Sequence, residues 1–395
     1  MEQFLRRTWL EINLNAIENN YLQIRNKLNK KVKIMCVVKA DAYGHGSVAV
    51  AKEYESLGAD WLAVANIDEA LQLRAHGISL PILILGYTPP NMAKTLIDNN
   101  LTQSVISEKY AQQLSEYAVI WGTKVKVHLK IDTGMGRLGF PAYDFEQAQN
   151  VVNKILKIVR LKGLFADGMY SHFSSADSQS DAGAYTKKQF NNFLLIVSEL
   201  RKKGVKFSFY HCANSAAILQ YPSTHINMVR PGIILYGLTP NTSMSFDMKL
   251  IPAMKFKTNI SYVKVVDPGT PISYSGTFKT QKTTKIATVP VGYADGYPRR
   301  LSNYGVMTIE GARVPIIGTV CMDQLMLDVS NIADAQSDDT VVIFGDPNKN
   351  EIGIDQVAKW CDTINYEIAC NISKRVPRIY IKNNKIISKL NYINP

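Results

Sequence analysis

The sequence has no apolar run approaching the ~18 residues that a membrane span requires. Its opening segment, MEQFLRRTWLEINL, lacks the continuous apolar core of a secretory signal, and a cytoplasmic protein is expected. Cysteine is scarce, with five residues at 36, 212, 321, 361 and 370. Their number is odd, no two form a CxxC pair and no Cys/His spacing matches a zinc site, so free thiols and no metal are expected. Internal repeats and low-complexity segments are also missing. Acidic residues are the minority charge: 33 Asp and Glu against 45 Lys and Arg leave a net charge of +12. A basic excess raises nucleic acid as a partner, yet the only clusters are modest ones at RKKGVK and KNNKIISK. No RNP, helix-turn-helix or zinc-finger pattern accompanies them. A basic surface serving a small anionic ligand fits better, with neither nucleic acid nor membrane as partner.

What is present suits a soluble globular protein. With 395 residues, 46% hydrophobic and 20% charged, two domains are the natural expectation. Short apolar runs at 34–39, 61–65, 82–86, 103–106, 125–131, 161–170, 207–212 and 232–237 read as strands, separated by helix-like segments. In 14–28, Leu14, Ile17, Tyr21, Ile24 and Leu28 share one helical face, and Asn15 with Glu18 reads as a capping box. Eight strands alternating with helices predict an α/β fold, a closed parallel (β/α)₈ barrel over residues 1–244, with a doubly wound open sheet as the alternative. Residues 245–395 carry closely spaced Val-, Ile- and Thr-rich segments such as TKIATVPVGY and QLMLDVS. They predict a mostly β second domain closed by a short helix, IDQVAKW. Residues 1–13 are allowed to pair with that second domain.

In such a barrel the functional face lies at the C-terminal ends of the strands. VVKADAYGHG places Lys39 at the end of the first strand, followed by Tyr43. The fifth strand runs into Lys130, Asp132 and Arg137, the sixth to His172, and the seventh to His211, Asn214 and Ser215. Arg230 stands just before the eighth, with Gly232 and Ile233. Each alone is ordinary: a strand-end lysine snorkels, and Asn-Ser caps a helix. Their joint placement on one rim points to a site. Ser215, Gly232 and Tyr43 can present donors to a phosphate. A lysine facing a phosphate across a barrel mouth is what a pyridoxal 5′-phosphate (PLP) Schiff base requires.

The segments VVKADAYGHG, HLKIDTGMGRLGF, SHFSSAD, ANSAA, VRPGIILYG, ISYSGTF, VPVGYADGYPR and VCMDQLMLDV resemble the signature segments of the alanine racemase family of fold-type III PLP enzymes. They occur in family order over nearly the whole chain. The resemblance implies racemisation of alanine by two acid/base groups on opposite faces of Cα. These are Lys39, which also carries PLP, and the partner subunit's Tyr274 in a homodimer with shared active sites. A tyrosine ordinarily ionises near pH 10, so a base role calls for positive potential, which the resemblance assigns to His172 and Arg230. Arg230 also matches the residue facing the pyridine nitrogen, where an arginine leaves that nitrogen unprotonated. Lys130 matches a lysine that is carbamylated in many relatives, beside Arg137; an unmodified Lys130 paired with Asp132 is the alternative. Arg137 and the partner subunit's Met322 match residues around the substrate carboxylate. Tyr43, Ser215, Gly232, Ile233 and Tyr366 match phosphate contacts, and the partner subunit's Tyr293 and Asp323 match the entrance. Two positions depart from the family pattern: Ser275 stands where glycine is common, and Thr319 where arginine is common.

Three other functions compete on this framework. A serine or broad-specificity racemase shares it, although Tyr366 narrows the pocket toward alanine. A non-enzymatic PLP-holding barrel lacks the β domain present here. A fold-type III decarboxylase brings an acidic partner for the ring nitrogen, where this chain has VRPG. The resemblance further implies that the D-alanine product feeds peptidoglycan.

Overall fold

A computed structural model describes residues 7–178 and 182–394. Eight strands, Lys33–Val37, Trp61–Val64, Ile82–Ile84, Leu101–Val105, Val125–Asp132, Leu164–Tyr170, Phe209–His211 and Met228–Val229, run parallel. Each pairs with the next in chain order, and Met228 of the last pairs with Lys33 of the first. The sheet is therefore closed, which rules out the open doubly wound alternative. Strands such as Trp61–Val64 and Ile82–Ile84 are buried along their whole length. One of their faces fills the barrel and the other packs under helices, and so they read as unbroken apolar runs.

Two local expectations need correction. The run 232–237 is not a strand: Ile233–Tyr236 forms a tight helical turn, with Leu235 N–H donating to the Gly232 carbonyl at 2.9 Å. All four of its residues are buried, so the run is apolar on every side and carries no period that separates strand from helix. The eighth strand is the shorter Met228–Val229, and Arg230 follows it rather than preceding it. The second correction concerns the first helix, Leu14–Lys27, whose cap is Asn13 and not Asn15. The Asn13 side chain accepts from Ala16 N–H at 3.2 Å, while Asn15 lies inside the helix and donates to Asn383. Asn13 is the last residue of the strand Thr8–Asn13, and strand pairing fixes it as the final extended position, which is the backbone state an N-cap needs. The apolar face behaves as its spacing demands, with Leu14, Ile17, Tyr21, Ile24 and Leu28 all buried.

A ten-stranded sheet makes up most of the remainder. Thr8–Asn13 lies inside it, antiparallel to Met254–Asn259 and parallel to Arg378–Lys382; Met1–Arg6 fall outside the described residues. From Thr8 the chain thus runs through the second sheet, enters the barrel through Asn13, and returns. A separate ribbon, Pro271–Ile272 against Phe278–Lys279, holds the turn Tyr274–Gly276 at its tip. Among the described residues no helix is long and apolar enough to cross a membrane.

Replacing Asn13 with Ala is expected to lower unfolding free energy by about 1 kcal/mol. Asn15→Ala should stay within about 0.5 kcal/mol of the unmodified chain. Urea denaturation of both variants checks the assignment, and the reverse ranking would restore Asn15 as the cap.

Candidate active site

The strand Lys33–Val37 stops two residues before Lys39, which opens a short turn, Lys39–Tyr43, of left-handed sense. Ala40, Asp41, Ala42 and Tyr43 all have φ between 52° and 54°. The turn keeps helical hydrogen bonds, Ala42 N–H to the Val38 carbonyl and Gly44 N–H to the Ala40 carbonyl, each at 2.9 Å. L-residues in this state cost about 1–2 kcal/mol each, or roughly 4–8 kcal/mol for four. Strain of that size persists only where surroundings over-determine the backbone. Glu69 supplies one restraint, accepting from Ala40 N–H and Ala65 N–H at 2.7 Å each.

Lys39 projects into a cavity of about 430 Å³ at the barrel mouth. Tyr43, Lys130, Arg137, His172 and Ser215 line it, as do Arg230, Gly232, Ile233 and Tyr366. The lining carries four basic side chains, Lys39, Lys130, Arg137 and Arg230, against one acid, Asp177. In one corner the Tyr43 hydroxyl, the Ser215 hydroxyl and Gly232 converge. Gly232 N–H donates to Ser215 Oγ at 2.9 Å, and a β-carbon on Gly232 would meet the Tyr43 hydroxyl at 2.5 Å.

Arg230 is buried, and every group it bonds is neutral. Its Nη1 donates to His211 Nδ1 at 2.7 Å and to the His211 carbonyl at 2.9 Å. Its Nη2 donates to the carbonyls of Ser171 and Cys212 at 2.7 and 3.2 Å, and to His172 Nδ1 at 3.2 Å. Its Nε–H makes none of these bonds. A guanidinium only donates, which settles the tautomers beyond it. His172 and His211 both accept at Nδ1 and carry their protons on Nε2. His211 Nε2–H then donates to His128 Nδ1 at 2.9 Å, and His128 Nε2 faces Asp167 Oδ1 at 3.3 Å. Burial, then the Arg230 charge, holds His172 and His211 well below the usual imidazole range. Burial also lowers His128, against the pull of Asp167.

Lys130 and Asp132 do not form the ion pair weighed above. Asp132 Oδ1 instead accepts from Gly134, Met135 and Gly136 N–H at 3.1, 2.8 and 3.1 Å, and Oδ2 from Tyr143 at 3.0 Å. Asp132 thereby ties down the loop that carries Arg137. Lys130 is left beside cations, and burial followed by Arg137 and Arg230 pushes its amine down to about 8. Burial and Arg137 also lower Lys39.

Tyr274, Met322 and Asp323 do not join this cavity in the single chain. They line a second hollow on the β-rich part, with Tyr274 69% and Met322 53% exposed. Tyr293 stands beside that hollow, its N–H bonded to the Cys321 carbonyl at 3.1 Å. The two departures flank Tyr274. Ser275 has φ +61°, the region that favours glycine, and Thr319 Oγ1 donates to the Tyr274 carbonyl at 3.2 Å.

Sequence reasoning passed over Tyr170 and His128. The Tyr170 ring lies parallel to His211 with centroids 4.8 Å apart and has Arg230 above it at 5.2 Å. A signal for His128 existed: with Lys130 and Asp132 it repeats at period two along one strand, which puts all three on one face.

These imidazoles give stability a defined pH dependence. The unfolded chain binds protons on histidine near pH 6.5, whereas the folded protein keeps His128, His172 and His211 neutral to lower pH. Below about 6.5 the unfolded state therefore holds more protons, and stability falls as pH falls, by up to about 1.4 kcal/mol per unit for each histidine. Urea midpoints between pH 8 and 5 should drop accordingly; a flat profile from 7 to 5 would contradict the neutral network.

Comparison with known proteins agrees with this geometry. Residues 12–240 match the model for the alanine racemase N-terminal domain, and 253–380 that for the alanine racemase C-terminal domain. The chain is 44% identical to an alanine racemase of Clostridium perfringens over 394 residues, covering all of both chains. It is 43% identical to alanine racemase 2 of Caldanaerobacter subterraneus over 98% of each. Among solved structures, alanine racemase of Clostridium difficile superposes with a TM-score of 0.93 at 41% identity, over 99% of this chain and 100% of the other. Alanine racemase of Bacillus anthracis, with bound L-Ala-P, gives 0.90 at 38% identity over 99% of both. With both domain models and full-length relatives in agreement, the chain belongs to the alanine racemase family.

Proposed function

We propose that this protein interconverts L- and D-alanine as a homodimer that uses PLP. The observation that carries the reading is the cavity itself: a lysine amine at a barrel mouth with four bases against one acid, and an anion-sized corner opposite. The corner fits a phosphate, because the Tyr43 and Ser215 hydroxyls face a glycine whose side chain would fill the space. Ile233 and Tyr366 line the same cavity, the Tyr366 ring centroid 6.0 Å from that of Tyr43. Burial lowers the Lys39 amine, which raises the neutral fraction able to bond a carbonyl carbon. When bound, PLP supplies an electron sink that acidifies the Cα–H of an amino acid.

The chain's own groups then divide the work. Lys39 holds the cofactor and exchanges a proton at one face of Cα. The partner subunit's Tyr274 exchanges it at the other, in keeping with its exposure on the single chain. His172 presents its Nε2–H toward the cavity because Arg230 occupies Nδ1, and both lend positive potential to the incoming phenol. Arg230, whose Nε–H makes none of the bonds given above, would face the pyridine nitrogen and leave it unprotonated. Arg137, with the partner subunit's Met322, receives the substrate carboxylate. The neutral fraction of Lys130, whose amine is pushed down to about 8, bonds to the carbon of CO₂, opens one C=O π bond and releases one proton to solvent, and the resulting carbamate anion orients Arg137. Tyr293 and Asp323 of the partner subunit border the entrance. The D-alanine formed feeds cell-wall peptidoglycan.

The purified protein should bind PLP with a visible absorption band, and borohydride should fix the chromophore to the peptide containing Lys39. A Lys39→Ala variant that retains a borohydride-fixed chromophore would overturn the assignment.

Shared sites make a second test. Lys39→Ala and Tyr274→Phe homodimers should each lose at least about 100-fold in activity. Mixed dimers of the two contain one intact site and one doubly altered site, so activity should reappear on subunit exchange. Mixtures as inactive as their parents would place both residues in one subunit's site.

A further inference from the structure

The left-handed turn after Lys39 is held from the far end of the chain as well as by Glu69. Arg378 donates to the Gly44 carbonyl at 3.2 Å and Tyr380 to the His45 carbonyl at 3.1 Å. A side chain on Gly44 or Gly46 would run into Ala369 or Tyr380 respectively. The central residue of the turn, Asp41, has its two carboxylate oxygens divided. Oδ1 accepts from Ser47 N–H at 2.8 Å, and Oδ2 accepts from the hydroxyl of Tyr392. Tyr392 lies beyond the last strand, Lys385–Leu390. Its ring is gripped by cations, Lys374 Nζ 5.3 Å and Arg378 Cζ 5.5 Å from the centroid.

We propose that Tyr392 is a positioning residue for Lys39. Its hydroxyl latches Asp41, and this latch keeps the left-handed turn closed so that the amine at its head points into the cavity. The inference rests on the reading of Lys39 as the cofactor-binding lysine. Its geometric basis is independent of that reading: four consecutive L-residues in a disfavoured state need an external clamp. A terminal phenol bonded to the turn's only carboxylate supplies one. Loss of the phenol leaves the Asp41 carboxylate with the hydrogen bond from Ser47 N–H, and the turn then samples more of the right-handed and extended states its residues prefer.

The test uses the full chain with Tyr392→Phe, which keeps the ring between Lys374 and Arg378 and removes only the hydroxyl. Amide hydrogen exchange at Ala42, Gly44 and Gly46 in the cofactor-free protein should speed up about ten-fold, the lower range for a lost hydrogen bond to a charged acceptor. Exchange in the other barrel strands should be unchanged. PLP affinity, followed by absorbance, should fall by a similar factor. Ile393→Ala, at a neighbouring side chain that is 71% exposed, should match the unmodified protein in both measurements. If Tyr392→Phe does not fold, Asp41→Asn, which neutralises the acceptor, must produce the same two changes. Unchanged exchange at the turn, or faster exchange with unchanged affinity, overturns the latch. An unmodified protein that takes up no PLP at Lys39 instead overturns the proposed function, and the exchange data still decide whether the latch exists.

Discussion

A buried guanidinium with only neutral partners sets the terms for everything around it. Arg230 cannot shed its charge and cannot accept a hydrogen bond, so each group facing it must accept. Three carbonyls and two imidazole nitrogens do so. The consequence propagates outward without further choice. His211 is fixed as a neutral Nε2–H tautomer, His128 behind it follows, and His172 is left with a single donor facing the cavity. The flat face of Tyr170, packed against both Arg230 and His211, offsets part of the charge through its ring, while none of the hydrogen bonds given for Arg230 among the described residues goes to a carboxylate.

That uncancelled charge suits the phosphate proposed for the cavity. Among half-buried and buried groups each cation is felt more strongly than at a surface, and burial followed by Arg137 and Arg230 lowers the Lys130 amine to about 8. The network also has its one carboxylate at the end away from Arg230, Asp167 facing His128 Nε2, while Arg230 and three other basic side chains line the mouth. An acid in place of Arg230 would reverse this order, drawing protons onto the imidazoles and onto any ring nitrogen bound beside them. The neutral histidines and the arginine are one device, and neither works without the other.

The barrel was legible because its strands are short apolar runs at regular spacing, and seven of the eight were placed within a few residues. The eighth was misplaced by its neighbour: GIILYG is longer and more apolar than Met228–Val229, and a two-residue strand carries no pattern at all. Lys39 was legible as an oddity at a strand end, but the left-handed turn behind it was not. ADAY contains no glycine to announce positive φ, and beside the nearer Glu69 several of the groups that hold it and the residues just after it lie 334 to 351 positions away. His128 and Tyr170 were missed for a related reason. A polar residue inside a barrel strand looks like an interruption until its interior partners are known.

The same long-range restraints bear on how the two parts of the chain depend on each other. A (β/α)₈ barrel ordinarily holds its functional loops with its own strands, and most of this rim obeys that rule, Asp132 tying its own loop being one case. The lysine turn obeys it only in part, through Glu69. Its backbone lies in a state that its sequence resists, and Arg378, Tyr380 and Tyr392 bind it from beyond the barrel. Thr8–Asn13 adds a second tie, since it pairs with Arg378–Lys382 in the same sheet before leading into the first barrel helix. The strand that clamps the turn is therefore itself anchored to the residue that starts the barrel. Loosening the β-rich part would relax the turn even with the eight strands intact. The strained lysine turn is a property of the whole chain, although every residue in it belongs to the barrel.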